Sequence, residues 1–132
     1  MKTVVLDTNI LIDNIHGYTP WLKKLIGSAA CRFVIPTIVI AEYLTDTQVE
    51  TELGRKRSQE YLSWFAKQDL TEDIAEVLGR ILRRKTYASG AGLADLIIAA
   101  TTVHLDGELA TRNKSDFAKI PDLVFFKPEK TL

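Results

Sequence analysis

Val4-Val5-Leu6-Asp7-Thr8-Asn9-Ile10-Leu11-Ile12-Asp13 changes its periodicity at the middle. Residues 1–6 read as a short buried strand, with three consecutive apolar residues, two of them β-branched. Ile10, Leu11 and Ile12 restart an apolar pattern that suits a helix. Asp7 stands between the two, with Thr8 and Asn9 supplying polar atoms beside it. Strand, carboxylate, helix is the order of an open α/β sheet, where ligands bind outside the carboxyl ends of the strands. Asp7 also satisfies a plainer reading as the N-cap of the helix. The stretch alone does not separate the two.

Working outward, composition narrows the field. The 132 residues read as a single domain, 1–132, large enough to bury a core. Hydrophobic residues make up 46% and charged residues 26%, the proportions of a soluble globular protein. Net charge is zero, so nothing global announces a nucleic-acid partner, although a local basic surface would serve one. The single cysteine, Cys31, closes no internal disulfide, and no signal peptide or membrane-spanning run is expected. A cytoplasmic protein is the expectation.

The first third alternates helix and strand. Thr19-Pro20 is read as a helix start, with Thr19 as cap. Trp21, Leu22, Leu25 and Ile26 follow at helical spacing until Gly27. Cys31 to Ile35 is a second strand, closed by Pro36. Thr37 then opens a helix to about Asp46, apolar on both sides and so expected to be largely buried. Glu42 is its only charge before Asp46. A buried carboxylate is costly unless it is paired or binds a metal. Snorkelling to solvent, or a salt bridge to an arginine, is the plain alternative.

From about Glu50 to Lys67 the pattern predicts one helix, with Tyr61, Leu62, Trp64 and Phe65 as its apolar stripe. Asp69-Leu70 is read as a brief edge strand or a loop. Thr71 caps the next helix, with Glu72 and Asp73 in its first turn. Ile74, Val77, Leu78, Ile81 and Leu82 form that helix's buried face. Arg80, Arg83, Arg84 and Lys85 crowd its end, where dipole complementarity and phosphate contact are both open readings.

Tyr87 to Gly92 is a small-residue loop, too irregular for a phosphate-binding fingerprint. Leu93 to Val103 then forms a helix apolar all round and hence central. Asp95 near its start is its only charge. A first-turn acid on a surface helix contributes under about 1 kcal/mol, but this helix has no polar face. Leu109-Ala110-Thr111 is another strand, with Arg112-Asn113-Lys114-Ser115-Asp116-Phe117 at its carboxyl end. Val124-Phe125-Phe126 is a final edge strand, and 127–132 a loose tail.

Four carboxylates are thereby gathered on one rim. Asp7 and Asp116 follow strands, Asp95 opens a buried helix, and Glu42 projects from another. At about 5 Å and an effective dielectric near 20, each like-charge pair costs roughly 3 kcal/mol. Protonation or a divalent cation must relieve that. An all-oxygen set selects hard ions such as Mg²⁺ or Mn²⁺. His16 and His104 have no partners at zinc-ligand spacing.

The motifs Leu6-Asp7-Thr8-Asn9, Ile40-Ala41-Glu42, Gly92-Leu93-Ala94-Asp95-Leu96-Ile97-Ile98-Ala99-Ala100 and Ala110-Thr111-Arg112-Asn113-Lys114-Ser115-Asp116-Phe117 carry a resemblance. In their order and spacing the chain resembles PIN-domain ribonucleases, more narrowly the VapC-type toxins of toxin–antitoxin pairs. The resemblance implies an α/β fold, a three-layer α/β/α arrangement with a mainly parallel central sheet. It maps the acidic quartet onto Asp7, Glu42, Asp95 and Asp116, as catalytic and metal-binding residues. Thr8, Asn9, Thr111 and Asn113 match the neighbouring polar positions. It implies one or two Mg²⁺ or Mn²⁺ ions, a homodimer, an RNA substrate and a small VapB-like antitoxin that buries the site. The region 50–89 carries no family signature.

The expected activity is metal-dependent hydrolysis of RNA phosphodiester bonds, with single-stranded loops as the reasonable substrate. Arg80, Arg83, Arg84 and Arg112 are the expected contacts to flanking phosphates. The antitoxin is expected to cover an apolar region at Trp21 and Trp64 and to present a basic residue to the acids. Alternatives are a housekeeping RNA-processing nuclease of the same type, a metal-dependent phosphatase or phosphoreceiver, and a non-catalytic RNA- or partner-binding domain. The phosphatase reading lacks a late-strand lysine and a second acid close to Asp7. The binding-domain reading leaves four unpaired acids unexplained.

Overall fold

The computed structural model describes residues 1–45 and 47–131. Its strands are β1 (Lys2–Leu6), β2 (Cys31–Pro36), β3 (Ala66–Gln68), β4 (Glu108–Ala110) and β5 (Val124–Phe125). Its helices are α1 (Thr8–Ile15), α2 (Pro20–Leu25), α3 (Thr37–Tyr43), α4 (Glu52–Leu62), α5 (Glu72–Arg84), α6 (Leu93–His104) and α7 (Lys114–Phe117). The five strands form one parallel sheet in the order β3-β2-β1-β4-β5.

β1 is central because its sequence suits nothing else. Val4, Val5 and Leu6 are fully buried, as in a parallel strand covered on both faces. Its register sets Val4 against Phe33 on one side and Glu108 on the other. α6 lies against β1, β2 and β4 and packs on α5, while α1 packs on α2 and α3. The right-handed sense of parallel crossovers assigns α1–α4 to one face and α5–α7 to the other. The expected three layers are therefore present.

Two expected helices end early. α3 stops at Tyr43, and Asp46, the expected end, lies outside the described residues. Among the α3 side chains only Val39 is buried. The helix stands on the carboxyl rim of β2 rather than across the sheet, so it is not enclosed as its apolar pattern predicted. The single helix expected over 50–67 is broken as well. A 3₁₀ turn covers Thr47–Glu50, α4 begins after Thr51, whose hydroxyl accepts from the Gly54 amide at 3.0 Å, and β3 takes residues 66–68. Leu62 and Phe65 do enter the core, but Ala66 pairs with Val34 along the open edge of β2. Lys67 Nζ donates to the carbonyls of Leu62 and Phe65 at 2.9 and 3.3 Å, which satisfies the groups freed at the helix end. Edge pairing outweighs the local helical pattern.

Smaller differences follow the same logic. Thr19 does stand at the N-cap of α2, as expected, but its hydroxyl makes no capping bond and donates weakly to Asn14 Oδ1 at 3.5 Å. Thr71 does cap α5, accepting from the Ile74 amide at 3.3 Å. β4 starts and ends one residue earlier than the sequence indicated, so Thr111 stands just past it. Gly107 makes that entry possible: a Cβ there would lie 3.0 Å from the Thr3 carbonyl oxygen. Pro128–Lys130 forms a 3₁₀ turn in the expected tail, and Leu132 lies outside the described residues. Among the described residues no helix is long and apolar enough to cross a membrane.

Candidate active site at the carboxyl rim

Parallel pairing carries β1 and β4 to the same rim, and the ladder continues one step beyond them. The Asp7 amide donates to the Ala110 carbonyl at 3.0 Å, so Asp7 and Thr111 are set side by side. The Thr111 hydroxyl donates to Asp7 Oδ2 at 2.8 Å, and Asn9 Nδ2 donates to the same oxygen at 3.2 Å. The Thr8 amide donates to Asp7 Oδ1 at 2.8 Å. Asp7 is thus both the N-cap of α1 and a carboxylate fixed at the strand end, with 5% of its surface exposed. A carboxylate offers about four acceptor positions. The three hydrogen bonds leave one on Oδ1.

Glu42 is half-buried rather than enclosed, a consequence of the rim position of α3. The Thr8 hydroxyl donates to its Oε1 at 2.7 Å, so Thr8 joins α1 to α3 across the site. Asp95 occupies the third position of α6 and accepts from the Gly92 amide at 3.3 Å, a capping arrangement. Asp116 lies in α7, half-buried. A Cβ on Gly90 would stand 3.6 Å from Asp116 Oδ1, so the small-residue loop borders two of the acids. A side chain at either Gly90 or Gly92 would be accommodated, so the loop's position beside the acids does not depend on them.

The four acids share one field. Burial pushes Asp7 above the ordinary carboxylate range; the Glu42 charge adds to it, and the bonds from Thr111, Thr8 and Asn9 oppose it. Burial also pushes Asp95 up, with the Asp7 and Asp116 charges adding and the Gly92 amide opposing. Among the described residues none of the four is in an ion pair; the pairs are Lys2–Glu108, Lys56–Glu52 and Arg112–Asp13. Unpaired, oxygen-only and anionic, the donors fit a hard divalent cation in chemistry. In geometry they are open: no three histidine, cysteine or acidic side chains among the described residues are gathered tightly enough to grip one ion.

The remaining expected site residues divide. Asn9 spans the site, since its Oδ1 also accepts from the Arg112 amide at 3.2 Å. The Asn113 amide donates to Thr111 Oγ1 at 3.0 Å, but its side chain caps nothing. Arg112 Nη1 donates to Asp13 Oδ1 at 2.8 Å rather than standing free. Arg80 and Arg84 line a shallow groove with Val103, Pro121 and Asp122. Val103 is eight residues from Asp95 along α6, about 12 Å at 1.5 Å per residue. Those arginines therefore stand away from the acids, and Arg83 is exposed on the same helix.

Two features escaped the sequence reading. Asp13 was given no part in the site, yet Asn9 and Asp13 are four residues apart and share a helix face. A buried acid on an apolar helix was the available signal. The second is a groove of about 890 Å³ between α1, α3 and α4, lined by Ile12, Ile15, Tyr43, Leu53 and Arg57, with Glu42 at its edge. The two tryptophans expected to mark a docking region have different surroundings. Trp21 packs on Phe33 and Phe126, with ring centroids 6.4 and 5.3 Å away, while Trp64 is 56% exposed beside Tyr61.

Residues 4–123 match the model of the PIN domain family. Ribonuclease VapC19 of Mycobacterium tuberculosis is 31% identical over 123 residues, which cover 90% of this chain and 95% of that protein. A toxin–antitoxin complex from Klebsiella pneumoniae contains a similar chain, 32% identical, with 95% and 97% coverage and a TM-score of 0.70. VapBC2 from Rickettsia felis, bound to a DNA fragment from its promoter, is 25% identical, with 94% and 97% coverage and a TM-score of 0.74.

Proposed function

The chain belongs to the PIN-domain family, with VapC-type ribonucleases among its relatives, and from that membership we propose that it is a metal-dependent endoribonuclease acting as the toxin of a type II toxin–antitoxin pair. PIN-domain nucleases use divalent metal ions. The observation that carries the reading is the set of four unpaired acids, Asp7, Glu42, Asp95 and Asp116, brought to one rim from β1, α3, α6 and α7 and coupled through their charges. These four would hold one or two Mg²⁺ or Mn²⁺ ions. Such an ion, when bound, activates water and neutralises charge building on the phosphodiester.

The chain's own residues prepare that site. Thr111 and Asn9 hold one oxygen of Asp7, which leaves acceptor capacity on the other. Thr8 orients Glu42 toward the same cleft. Such outer partners fix ligand orientation and raise ligand effectiveness. An RNA single strand is the fitting substrate, because its backbone can enter an acidic cleft once the charge is neutralised. The same reading makes the chain one domain, cytoplasmic and a homodimer.

Incubation of purified protein with mixed RNA tests this reading. Discrete products are expected with Mg²⁺ or Mn²⁺ and none with a chelator. Products that form equally well in chelator would overturn it.

The antitoxin reading supported here differs from the one drawn from the tryptophans. The groove between α1, α3 and α4 carries exposed Ile15 and Leu53 and ends at Glu42. An apolar segment of the partner with a basic residue toward Glu42 suits it. Crosslinking from the antitoxin is expected at Leu53 or Ile15; crosslinks confined to Trp21 would refute this placement.

A further inference from the structure

The fastening of α1 to the segment after β4 is closer than the four acids alone require. Asp13 is 8% exposed, and its Oδ1 accepts from Arg112 Nη1 at 2.8 Å. One helical turn earlier, Asn9 Oδ1 accepts from the Arg112 amide. Two turns of α1 therefore hold Arg112 at both its backbone and its side chain. The side chain of Arg112 is 62% exposed, but that of Asp13 is only 11% exposed, so this is not an ordinary surface ion pair. A carboxylate so enclosed requires its partner.

We propose that Asp13 and Arg112 are positioning residues for the nuclease site: the pair registers the segment 111–117 on α1 and so sets Asp116 beside the other acids. The proposal rests on the nuclease reading above. α7 is only four residues long and has no side-chain cap, so it cannot hold its own place. Thr111 anchors the segment's start through Asp7, and Phe117 anchors its end in the core. Arg112 is the fixed point between them. Its planar fork suits a carboxylate in a way that a lysine ammonium does not. This role also accounts for an arginine at the mouth of an acidic site without assigning it to the substrate.

The test compares Asp13→Asn and Arg112→Lys with the parent protein. Mn²⁺ binding is measured calorimetrically without RNA, and kcat and KM with a short single-stranded RNA. Amide hydrogen exchange is followed over residues 111–117. Both variants are expected to bind Mn²⁺ about tenfold or more weakly, in line with the loss of groups that orient metal ligands. Lower kcat, unchanged KM and faster exchange at Asp116 and Phe117 are expected with it. Unchanged Mn²⁺ affinity with raised KM and a shallower salt dependence would overturn the proposal and make Arg112 a phosphate contact. Unchanged exchange would overturn it also. If the parent protein binds no Mn²⁺ and cuts no RNA, the nuclease reading fails, while exchange still decides whether the pair holds the segment. If Asp13→Asn does not fold, Arg112→Lys, which keeps the charge, carries the comparison.

Discussion

Asp7→Asn is expected to lose at least about a hundredfold in RNA cleavage while melting within a few degrees of the parent protein. On the proposed reading the loss follows from removing one of the four charges at the rim, a change of the kind that costs roughly 10²–10³ in rate when one electrostatic contributor is deleted. The stability side is a near balance. Burial and the Glu42 charge already disfavour ionised Asp7 in the folded protein. Because its folded pKa lies above the unfolded value, Asp7 opposes folding above that pKa, and the opposition fades as pH falls. A neutral amide at this position removes the penalty. Against that gain, the nitrogen of the substituted side chain would face the Asn9 Nδ2 donor, and one 3.2 Å bond would be lost. Cleavage by the parent protein is expected to fall as pH drops through the acidic range, since raised Asp7 and Asp95 reprotonate sooner than ordinary carboxylates. Cleavage assays across pH, beside thermal melts, check both parts. Near-parental cleavage by the variant would remove Asp7 from the chemistry.

The candidate acids stood out in the sequence for a physical reason: Asp7 and Asp95 are lone charges where apolar segments end or begin, and Glu42 is the lone charge of an apolar helix. Asp7 and Asp95 carry that signal most clearly. Their geometry also shows why capping could not be separated from chemistry, since both residues do cap their helices. The sheet core was legible at β1 and β2, where β-branched runs are short and end at Asp7 or Pro36. It failed at 50–67, where the apolar stripe of Tyr61, Leu62, Trp64 and Phe65 continues a helical pattern while the open edge of β2 draws Ala66 into pairing. Glu42 was placed correctly in sequence but in the wrong surroundings. Val39 of α3 enters the core and Ile38 and Ile40 are partly buried against it, while Glu42 and Tyr43 border the groove beside α4. The Asp13–Arg112 pair, 99 residues apart, had no local signature in Arg112, so only the buried acid on α1 hinted at it.

Phe117→Ala is expected to cost about 3–5 kcal/mol, the range for truncating a large buried aromatic, and to lower Tm by roughly 10–20 °C for a chain of this size. Phe117 is 1% exposed and, among the described residues, the bulkiest of the fully buried side chains. It is also the residue after Asp116, in a helix too short to persist without it. The cavity would therefore remove the anchor that keeps an acid on the rim, and cleavage should fall even at temperatures where the variant stays folded. Phe117→Leu, which refills part of the space, should recover most of both. Denaturant melts with an unchanged slope would show that stability itself moved; a loss under about 1 kcal/mol, well below the range for such a truncation, would mean that α7 is held by other contacts. The contrast with Asp7→Asn separates two roles at one rim. Removing the charge is expected to remove chemistry and spare the fold, whereas removing the buried ring is expected to weaken the fold and lower cleavage with it, because Phe117 is the one residue of α7 that is buried.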